Sequence, residues 1–444
     1  MDRYQAYAGY RDSRLEWLGE LPEHWKVKRL GHFFEERREK VSDKDYSALS
    51  VTKHGIVPQL ETAAKTDAGD NRKLVLKNDF VINSRSDRKG SSGVSPLDGS
   101  VSLISIVMTP RKIKPNYVHH LLRSYCFQEE FYRYGKGIVA DLWSTNSSEL
   151  KNILMPDIPA DEQDKIANFL DHETAKIDTL IEKQQQLVKL LIEKRQAVIS
   201  HAVTKGLNPN AKIKDSGIDW LSEVPEHWDV TRVGWMCEFI SYGFTNPMPA
   251  TDDGPYLLTA ADIEFGGVNY EKARHTSKVA FSTLLSPKSR PEKGDVLITK
   301  DGTLGRVSVF RGEHKACISQ SVALLRLNQS KVLPEFLSMA LSGADYQNKM
   351  IFDAGGTTIK HIYISILAKM GFLLPGIDEQ RNILEILALK LEKMDVLIES
   401  AGQASELLKE RRTALISAAV TGKIDVRNWQ APEPADTRNK KAVA

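Results

Sequence analysis

The sequence predicts an α+β protein in which two similar globular α/β domains are separated by two long antiparallel helices, which form an intramolecular coiled coil with pseudo-two-fold symmetry. Three observations support this prediction. A tryptophan-containing segment occurs twice, a second repeat follows it in each half, and each half ends in a long amphipathic stretch without proline. The 444 residues are also enough for two to four domains that each bury a core.

The two repeats show that the chain consists of two related halves. WLGELPEHWKV at Trp17 matches WLSEVPEHWDV at Trp220, an offset of 203 (220 minus 17), and eight of the eleven residues are identical. DEQDKIANFL at Asp161 matches DEQRNILEIL at Asp378, an offset of 217 (378 minus 161). Repeats of this kind indicate one structural unit used twice. We expect the tryptophans of the two PEHW segments to anchor the chain by packing rather than to contact a ligand.

The first part of each half reads as a mixture of strands and helices. Short runs rich in Val, Ile, Leu and aromatic residues alternate with Gly, Pro, Asp and Ser turns, which predicts strands. These runs lie at 73–83, 101–108, 296–299 and 321–327. Helices are predicted at 116–125 and 334–341, each beginning at or next to a proline. We expect a mixed, strongly bent sheet in each half.

The second part of each half has the heptad spacing of a long helix. A stretch of about 42 residues, 162–203 or 379–420, would extend roughly 60 Å as a helix. Its apolar stripe must be covered, and the other copy is the nearest suitable partner. The antiparallel pairing would place the globular segments at opposite ends. The positions predicted for helix packing or partner binding are Leu170, Ile177, Leu180, Leu187 and Leu191 in the first helix, and Leu387, Met394, Leu397, Leu408 and Leu415 in the second.

Positive charge is clustered in equivalent loops of the two halves, although the net charge of the chain is only +3. Ser, Thr and Asn residues, which can contact bases and phosphates, accompany the cations. The candidate DNA-binding residues are Arg72, Lys73, Arg85, Arg88, Lys89, Lys136, Ser144 and Asn146 in the first half, and Lys300, Thr303, Arg306, Thr357, Thr358, Lys360 and His361 in the second. For any one of them taken singly, a solvated surface position remains the alternative.

The sequence lacks the common catalytic and metal-binding signatures. It contains no Walker A loop, GxGxxG, HExxH or GxSxG motif. DGTLGRV at Asp301 could hold a phosphate through backbone N–H groups, but a tight turn in a sheet is the preferred interpretation. The three cysteines are far apart, which argues against a zinc site or a disulfide framework. We therefore predict no catalytic residue and no metal site in this chain.

A cytoplasmic location is expected from the same sequence. The first residues contain no apolar segment of the kind found in signal peptides. No run approaches the 18 or so apolar residues that a membrane span requires.

With these segments assigned, the chain resembles the specificity (S) subunit of type I restriction–modification systems. The resemblance rests on WLGELPEHWKV and WLSEVPEHWDV, on LTAADIEFGGV and KDGTLGRV in the second half, and on the DEQ-led helices that end in AVTKGL and AAVTGKIDV. It extends over nearly the full length. SVTKHGIVPQL and NSRSDRKGSSGVS in the first half match the family pattern less well than the second half does.

The resemblance implies a DNA-recognition subunit that is not itself an enzyme. Each target-recognition domain would read one half of a bipartite, asymmetric site, and the helices would set the spacing and dock the methyltransferase subunits. The implied partners are double-stranded DNA, two methyltransferase (M) subunits and, in the full complex, restriction (R) subunits, with no membrane. No cofactor is expected on this chain; S-adenosylmethionine belongs to the M subunit, and ATP and Mg to the R subunit.

The predicted boundaries combine the repeats with this resemblance. They are an N-terminal arm at 1–20, target-recognition domain 1 at 21–158, spacer helix 1 at 159–204, a linker at 205–219, target-recognition domain 2 at 220–376, spacer helix 2 at 377–422 and a C-terminal tail at 423–444.

Two other classes of function are compatible with parts of the sequence. A nuclease or methyltransferase would need an acidic metal-binding cluster or a cofactor loop, and the sequence has neither in recognisable form. A coiled-coil adaptor for proteins would explain the helices. It would not explain two globular segments that differ mainly in their polar loops.

Overall fold

The computed structural model describes residues 4–61, 69–137, 143–356 and 360–432. The chain divides into two compact units, the first formed by Met1–Gln184 with Gln403–Ala444 and the second by Gln185–Gly402. Each unit therefore contains one globular segment and a part of each long helix.

The globular part of the first unit is built from short strands and three short helices in its described residues. The strands are β1 (Tyr10–Asp12), β2 (Glu20–Pro22), β3 (Lys26–Arg29), β4 (Phe34–Glu36), β5 (Lys40–Val41), β6 (Leu49–Thr52), β7 (Gly55–Pro58), β8 (Arg72–Val75), β9 (Phe80–Asn83), β10 (Ser92–Val94), β11 (Gly99–Val101), β12 (Ser105–Pro110) and β13 (Leu154–Asp157). The helices are α1 (Pro115–Leu121), α2 (Tyr125–Arg133) and α3 (Ser147–Asn152). Its largest sheet has the strand order β10-β9-β12-β4.

The two long helices are α4 (Ala160–Lys205) and α9 (Ile377–Val420). Between them lies the globular part of the second unit. Its strands are β14 (Ile213–Asp215), β15 (Glu223–Pro225), β16 (Asp229–Arg232), β17 (Cys237–Tyr242), β18 (Ala250–Leu258), β19 (Ile263–Glu264), β20 (Gly267–Val268), β21 (Arg274–Thr276), β22 (Val296–Thr299), β23 (Val307–Val309), β24 (Ala316–Ile318), β25 (Val322–Leu327) and β26 (Gly371–Leu374). Its helices are α5 (Lys278–Thr283), α6 (Pro334–Ser342), α7 (Ala344–Asp353) and α8 (Ile364–Lys369).

The two units share one sheet plan. The largest sheet of the second unit has the order β17-β25-β22-β23, which is the order of the first unit read from the opposite edge. Every pairing within both four-stranded sheets is antiparallel. The expectation of a mixed sheet is therefore wrong for these two sheets. Within the described residues the parallel pairing of named strands is that of β18 with β24.

In each unit the two long helices pair antiparallel, as the sequence predicts. In the second unit, Arg195 donates through Nε to Asp395 Oδ1 at 3.1 Å, and Gly206, just after α4, lies beside Glu379 at the start of α9. In the first unit the equivalent pair is Arg412, which donates to Asp178 at 2.8 Å. Residue numbers thus rise along one helix as they fall along the other.

Burial along the helices follows a heptad register, but not at every predicted position. Leu170, Ile177, Leu387 and Leu415 are buried, and Leu191, Met394 and Leu408 are half-buried, as predicted. Three leucines of the predicted set do not pack in the seam, with exposed fractions of 46% for Leu180, 43% for Leu187 and 53% for Leu397, so partner binding is the part of the prediction that remains for them. The alternate seam positions lie four residues after Leu170, Ile177 and Gln184, at Thr174, Ile181 and Val188. Because Thr174 is polar, the heptad pattern of the sequence does not reveal this register.

Each PEHW tryptophan is fully buried where a long helix ends. Gly422, two residues past α9, lies against Pro22 and Trp25, and Gly206 lies against Pro225 and Trp228. A Cβ on Gly422 would be 2.4 Å from Cδ of Pro22, and its φ of +74° favours glycine in any case. The repeated tetrapeptide is therefore a packing joint, which confirms the sequence-based interpretation.

Candidate nucleic-acid interface

Three chain segments of the first unit that are distant in sequence meet at one surface, which we call the first loop cluster (84–89, 136–137 and 143–146). Backbone hydrogen bonds join them. The N–H of Ser86 donates to the carbonyl of Trp143 at 2.9 Å, and that of Thr145 donates to Ser84 at 3.0 Å. Lys136 donates in the same way to Ser144 at 3.1 Å. The structure thus brings together Arg85, Lys136 and Ser144, which the sequence analysis placed in separate loops.

The second unit repeats this arrangement in the second loop cluster (300–306, 355–356 and 360–363). The N–H of Ile362 donates to the carbonyl of Lys300 at 2.9 Å, and His361 and Gly355 exchange backbone hydrogen bonds of 2.7 and 3.0 Å. Asp301 forms a bridge with His361 as Arg85 does with Ser144. The backbone arrangement is therefore conserved between the units, while the side chains on it differ.

The first loop cluster carries exposed cations. Arg85 and Arg88 are exposed, and no acidic partner of Arg85 occurs in the described part of the chain. Lys136 is exposed but pairs with Glu149 at 2.6 Å, and Lys89 Nζ lies 2.5 Å from a carboxylate oxygen of Glu129. Arg85 is consequently the cation of this cluster most available to a phosphate or a base edge.

Two polar residues complete the first loop cluster. Ser144 is exposed beside Arg85 and Lys136. Asn146 is exposed too, but its side chain accepts a hydrogen bond from the Glu149 N–H and caps α3. This cap fixes the segment 143–146 at the start of α3, next to the other two segments of the cluster.

Arg72 and Lys73 are placed differently from the prediction. Arg72, with an exposed fraction of 6%, donates through Nε to Ser100 Oγ at 2.8 Å, and Lys73 Nζ donates to the carbonyl of Ser105 at 2.7 Å. Burial lowers the pKa of both side chains. They lie on β8 and donate hydrogen bonds to residues of neighbouring strands. We therefore assign them a structural role in place of the predicted DNA contact.

The second loop cluster contains a compact charged network below its surface. The side chain of Lys300 is 7% exposed. Its Nζ lies 3.1 Å from Asp301 Oδ2 and 3.4 Å from His361 Nε2, and 5.3 Å from the ring centroid of Tyr242. An ammonium group only donates, so Nε2 of His361 must accept and Nδ1–H faces Asp301. Lys300 therefore organises the cluster from within.

The other predicted residues of the second unit lie around this network. Thr303 and Lys360 are exposed, whereas half-buried Arg306 donates to the carbonyl of Ile263 at 3.2 Å. Thr357 and Thr358 lie outside the described residues. The DGTLGRV segment closes the hairpin of β22 and β23, with φ of +74° at Gly302 and +76° at Gly305. The turn interpretation of that segment is thus confirmed.

Sequence reasoning missed the tyrosine of the network. Tyr242 lies at the end of β17, far along the chain from Lys300 and His361. No local pattern distinguishes it from other strand residues, because its position beneath the cluster depends on the pairing of β17 with β25. The repeat and the clustered cations identified the region of the site, but neither of them points to Tyr242.

Metal-binding groups were also sought. Within residues 4–61, 69–137, 143–356 and 360–432, no three His, Cys, Asp or Glu side chains are placed to hold a metal ion. A helix long and apolar enough to cross a membrane does not occur in those ranges either.

Comparison with known proteins gives a consistent result. Residues 225–400 match the family model described as the type I restriction modification DNA specificity domain. The MjaVIII specificity subunit of a type I restriction enzyme from Methanocaldococcus jannaschii is 22% identical over 422 residues, which covers 92% of this chain and 95% of the relative.

Solved structures agree with the fold. A chain from a study of assembly and conformational transition of the type I R-M system superposes with a TM-score of 0.69 at 18% identity, covering 91% of this chain and 99% of the other. The HsdS subunit of Thermoanaerobacter tengcongensis gives a TM-score of 0.54 at 19% identity and covers 93% of this chain and 100% of its own. The two superpositions confirm the predicted fold, and the family model and the relative are those of the specificity subunits that the sequence resembles.

Proposed function

We propose that this chain, which belongs with the specificity subunits of type I restriction–modification systems, reads a bipartite and asymmetric DNA sequence through its two loop clusters. The single observation that carries this proposal is the duplicated cluster. One backbone arrangement is used twice with different side chains, as a reader of two unlike half-sites requires. The helix pair then fixes the gap between the half-sites.

The first loop cluster is the more cationic reader. Exposed Arg85 and Arg88 can reach phosphates or the acceptor edge of guanine, and Ser144 can donate or accept beside them. The second cluster offers Lys360, Thr303 and the outer edge of His361, with Lys300 holding them from below. These differences support unlike half-sites for the two units.

Partner subunits would bind the long helices. Large apolar side chains are exposed along both helices, away from the seam, and exposed apolar patches mark protein interfaces. These residues are Leu180, Leu187, Leu190 and Ile192 on α4, and Leu389, Val396, Leu397 and Leu407 on α9. We propose that two methyltransferase subunits cover them and that restriction subunits join the full complex.

Catalysis would reside in those partners. We propose that the methyltransferase subunit supplies S-adenosylmethionine, that the restriction subunit supplies ATP and Mg, and that this chain binds none of them for the reaction. The expected cytoplasmic location follows from that role, since the DNA and the partners are there.

A segment exchange tests the assignment of readers. Residues 229–374, from the start of β16 to the end of β26, are replaced with the equivalent segment of another specificity subunit, and the methylome of cells with the assembled system is sequenced. We expect one half-site to change while the other half-site and the gap stay the same. The matched exchange of 26–157, from β3 to β13, should change the opposite half. A change of both half-sites, or of neither, would refute the proposal.

Point variants test the loop clusters themselves. Arg85→Ala and Lys360→Ala should each weaken DNA binding by the assembled complex and lower the slope of log K against log salt by about one unit if each contacts a phosphate. Lys44→Ala is the matched control, because Lys44 is exposed and lies outside both clusters. Equal effects of all three substitutions would contradict the assignment.

A further inference from the structure

The second unit contains a pocket that lies outside the second loop cluster and has no role in the proposed reading of DNA. Its volume is about 590 Å³, and its floor is the Asp253–Gly254–Pro255 stretch of β18. Ligand pockets of proteins usually have volumes of roughly 300–1,000 Å³. The pocket is thus large enough for a small aromatic molecule.

One wall of the pocket is aromatic. The Tyr256 ring lies 5.1 Å from that of His314 and 4.4 Å from that of His275, measured between ring centroids. Tyr270 packs behind them, 4.7 Å from His314. Tyr256 and His314 line the pocket itself, so their rings can stack against a planar ligand.

The pocket lining is also cationic. The Arg290 guanidinium lies 5.0 Å from the centroid of the Phe281 ring and donates through one terminal nitrogen to the carbonyls of Ser282 and Leu285. Its Nε is buried and therefore does not face the open space of the pocket. Lys278 and Lys315, both exposed, line the same pocket. Against these three positive charges the lining holds the carboxylate of Asp253, so an anionic group of a ligand would be favoured there.

We propose that this pocket binds a nucleotide. The base would stack on Tyr256 and His314, and the phosphate would lie near Arg290, Lys278 and Lys315, because a guanidinium and two ammonium groups suit a phosphate dianion. Asp253 at the rim can accept from a ribose hydroxyl or an exocyclic amine. A purely apolar ligand would make no use of the positive charge of this lining.

The same chemistry has two sources, a free mononucleotide and a nucleotide within a nucleic-acid strand. Binding of a free mononucleotide would be a function separate from the proposed DNA recognition. Binding of a nucleotide within a strand rests on that proposed function. The arms of one experiment distinguish them. AMP, CMP and adenosine are titrated into the full-length chain and followed by calorimetry and saturation-transfer NMR, and a short single-stranded oligonucleotide is titrated in parallel.

Paired variants connect any binding to this pocket. Lys278→Ala with Lys315→Ala should weaken AMP binding about tenfold, since two charge-assisted contacts are lost, and should leave adenosine binding nearly unchanged. His314→Ala should weaken both ligands. The matched control is Lys272→Ala with Lys288→Ala, two exposed lysines of the same region that do not line the pocket.

Each outcome of these titrations either supports or overturns the proposed nucleotide pocket. Binding of AMP that the pocket variants weaken and the control does not supports a free nucleotide. Binding of the oligonucleotide alone, with the same variant pattern, supports a nucleotide within a strand. Absence of both at millimolar concentration, or equal loss in the control, overturns the proposal. The methylated sequence of cells carrying the pocket variants is recorded alongside, so that a failure of DNA reading is recognised separately.

Discussion

Trp25 and Trp228 occupy equivalent, fully buried positions in the two units, yet only one of the two indoles has an acceptor. Trp25 Nε1 donates to Glu162 Oε2 at 2.9 Å. Trp228 Nε1 is buried without a hydrogen-bond partner among the described residues, although the equivalent Glu379 is close enough to pair with His227 at 2.9 Å. The packing and the His–Glu pair are therefore duplicated at this joint, while the hydrogen bond of the indole is not.

The first unit has additional polar contacts because the N-terminal arm lies on its joint. Tyr7 of this arm donates its hydroxyl to Glu162 at 3.3 Å, whereas the pair of His24 Nε2 with the other carboxylate oxygen, at 2.6 Å, has its counterpart in His227 and Glu379. Burial, with the nearby Glu162 charge, raises the pKa of Tyr7, so its phenol remains a donor. The comparison teaches that the packing and the His–Glu pair belong to the repeat, whereas the hydrogen bond of the indole is made in the first unit and not in the second.

The largest effect is expected where a polar contact is duplicated. Gln380 is fully buried, accepts from the N–H of Leu333 at 2.8 Å and donates to two carbonyls. Gln163 accepts from the N–H of Lys114 at 2.8 Å and donates to Ile158. Each glutamine thus anchors the start of α6 or α1 on a long helix. Gln380→Leu and Gln163→Leu should each lower the free energy of unfolding by about 3 kcal/mol, measured by denaturant titration.

The control for the glutamines is Gln186→Leu, at an exposed position of α4, which should change stability by less than about 0.5 kcal/mol. Gln163 and Gln380 are the glutamines of the two DEQ segments. A large loss of unfolding free energy for only one of the two variants would show that these segments do not have the same role in both units.

The tryptophans should give the next effect, as a difference between variants. Trp25→Phe and Trp228→Phe remove similar volume, but only the first also removes a hydrogen bond to a buried carboxylate, leaving that oxygen with the longer contact from Tyr7. We expect Trp25→Phe to destabilise the protein by about 2 kcal/mol more than Trp228→Phe, in the same denaturant titration. Equal losses would mean that Glu162 adds nothing to the joint of the first unit.

His119 should make the stability of the first unit depend on pH. Burial and the neighbouring Arg123 lower the pKa of His119 to about 3, against about 6.5 in an unfolded chain. Between these values the unfolded chain binds one more proton, so the free energy of unfolding should fall by about 2 kcal/mol from pH 7.5 to pH 5. The contribution is complete above the unfolded pKa and is lost as the pH falls toward 3.

His119→Gln should remove that part of the pH dependence, measured as the difference between wild-type and variant titrations. His54→Gln is the control, because His54 is exposed. The second unit has Ser338 at the equivalent place on α6 and should contribute no such dependence. A variant with the wild-type slope would contradict the assignment.

The smallest effect is expected at the two salt bridges between the helices. Asp178 and Asp395 are 52% and 56% exposed, and pair with Arg412 and Arg195 respectively. Asp178→Ala and Asp395→Ala should each lower the free energy of unfolding by less than about 1 kcal/mol and equally, and 1 M salt should abolish both effects. A markedly larger loss at one site would break the symmetry of the pairing.

Most of the frame could be predicted from the sequence because it rests on periodic and repeated apolar residues. The heptads gave both long helices, and the PEHW and DEQ repeats gave their relation to the globular parts. The exact seam could not be predicted, since Thr174 is polar at a packing position and Leu180 and Leu187 are apolar at exposed ones. Burial at those positions depends on the partner helix.

The loop clusters were predictable as regions but not as assemblies. Counting cations found Arg85 and Lys300, yet it also selected Arg72, whose orientation on β8 turns its charge inward. The meeting of three segments at Ser144 or His361 depends on long-range backbone hydrogen bonds that no local pattern reports. Tyr242 was missed for the same reason.

Both clusters are fastened by amide and carbonyl groups of the main chain, which every residue type except proline supplies in full. Side chains at exposed places such as Arg85, Ser144 and Lys360 are therefore free to vary without loosening the junction beneath them. Substitutions of these side chains could therefore change the proposed target sequence while the backbone of the cluster remains the same. The main-chain atoms of these residues maintain the fold, whereas their side chains would determine which DNA sequence is read.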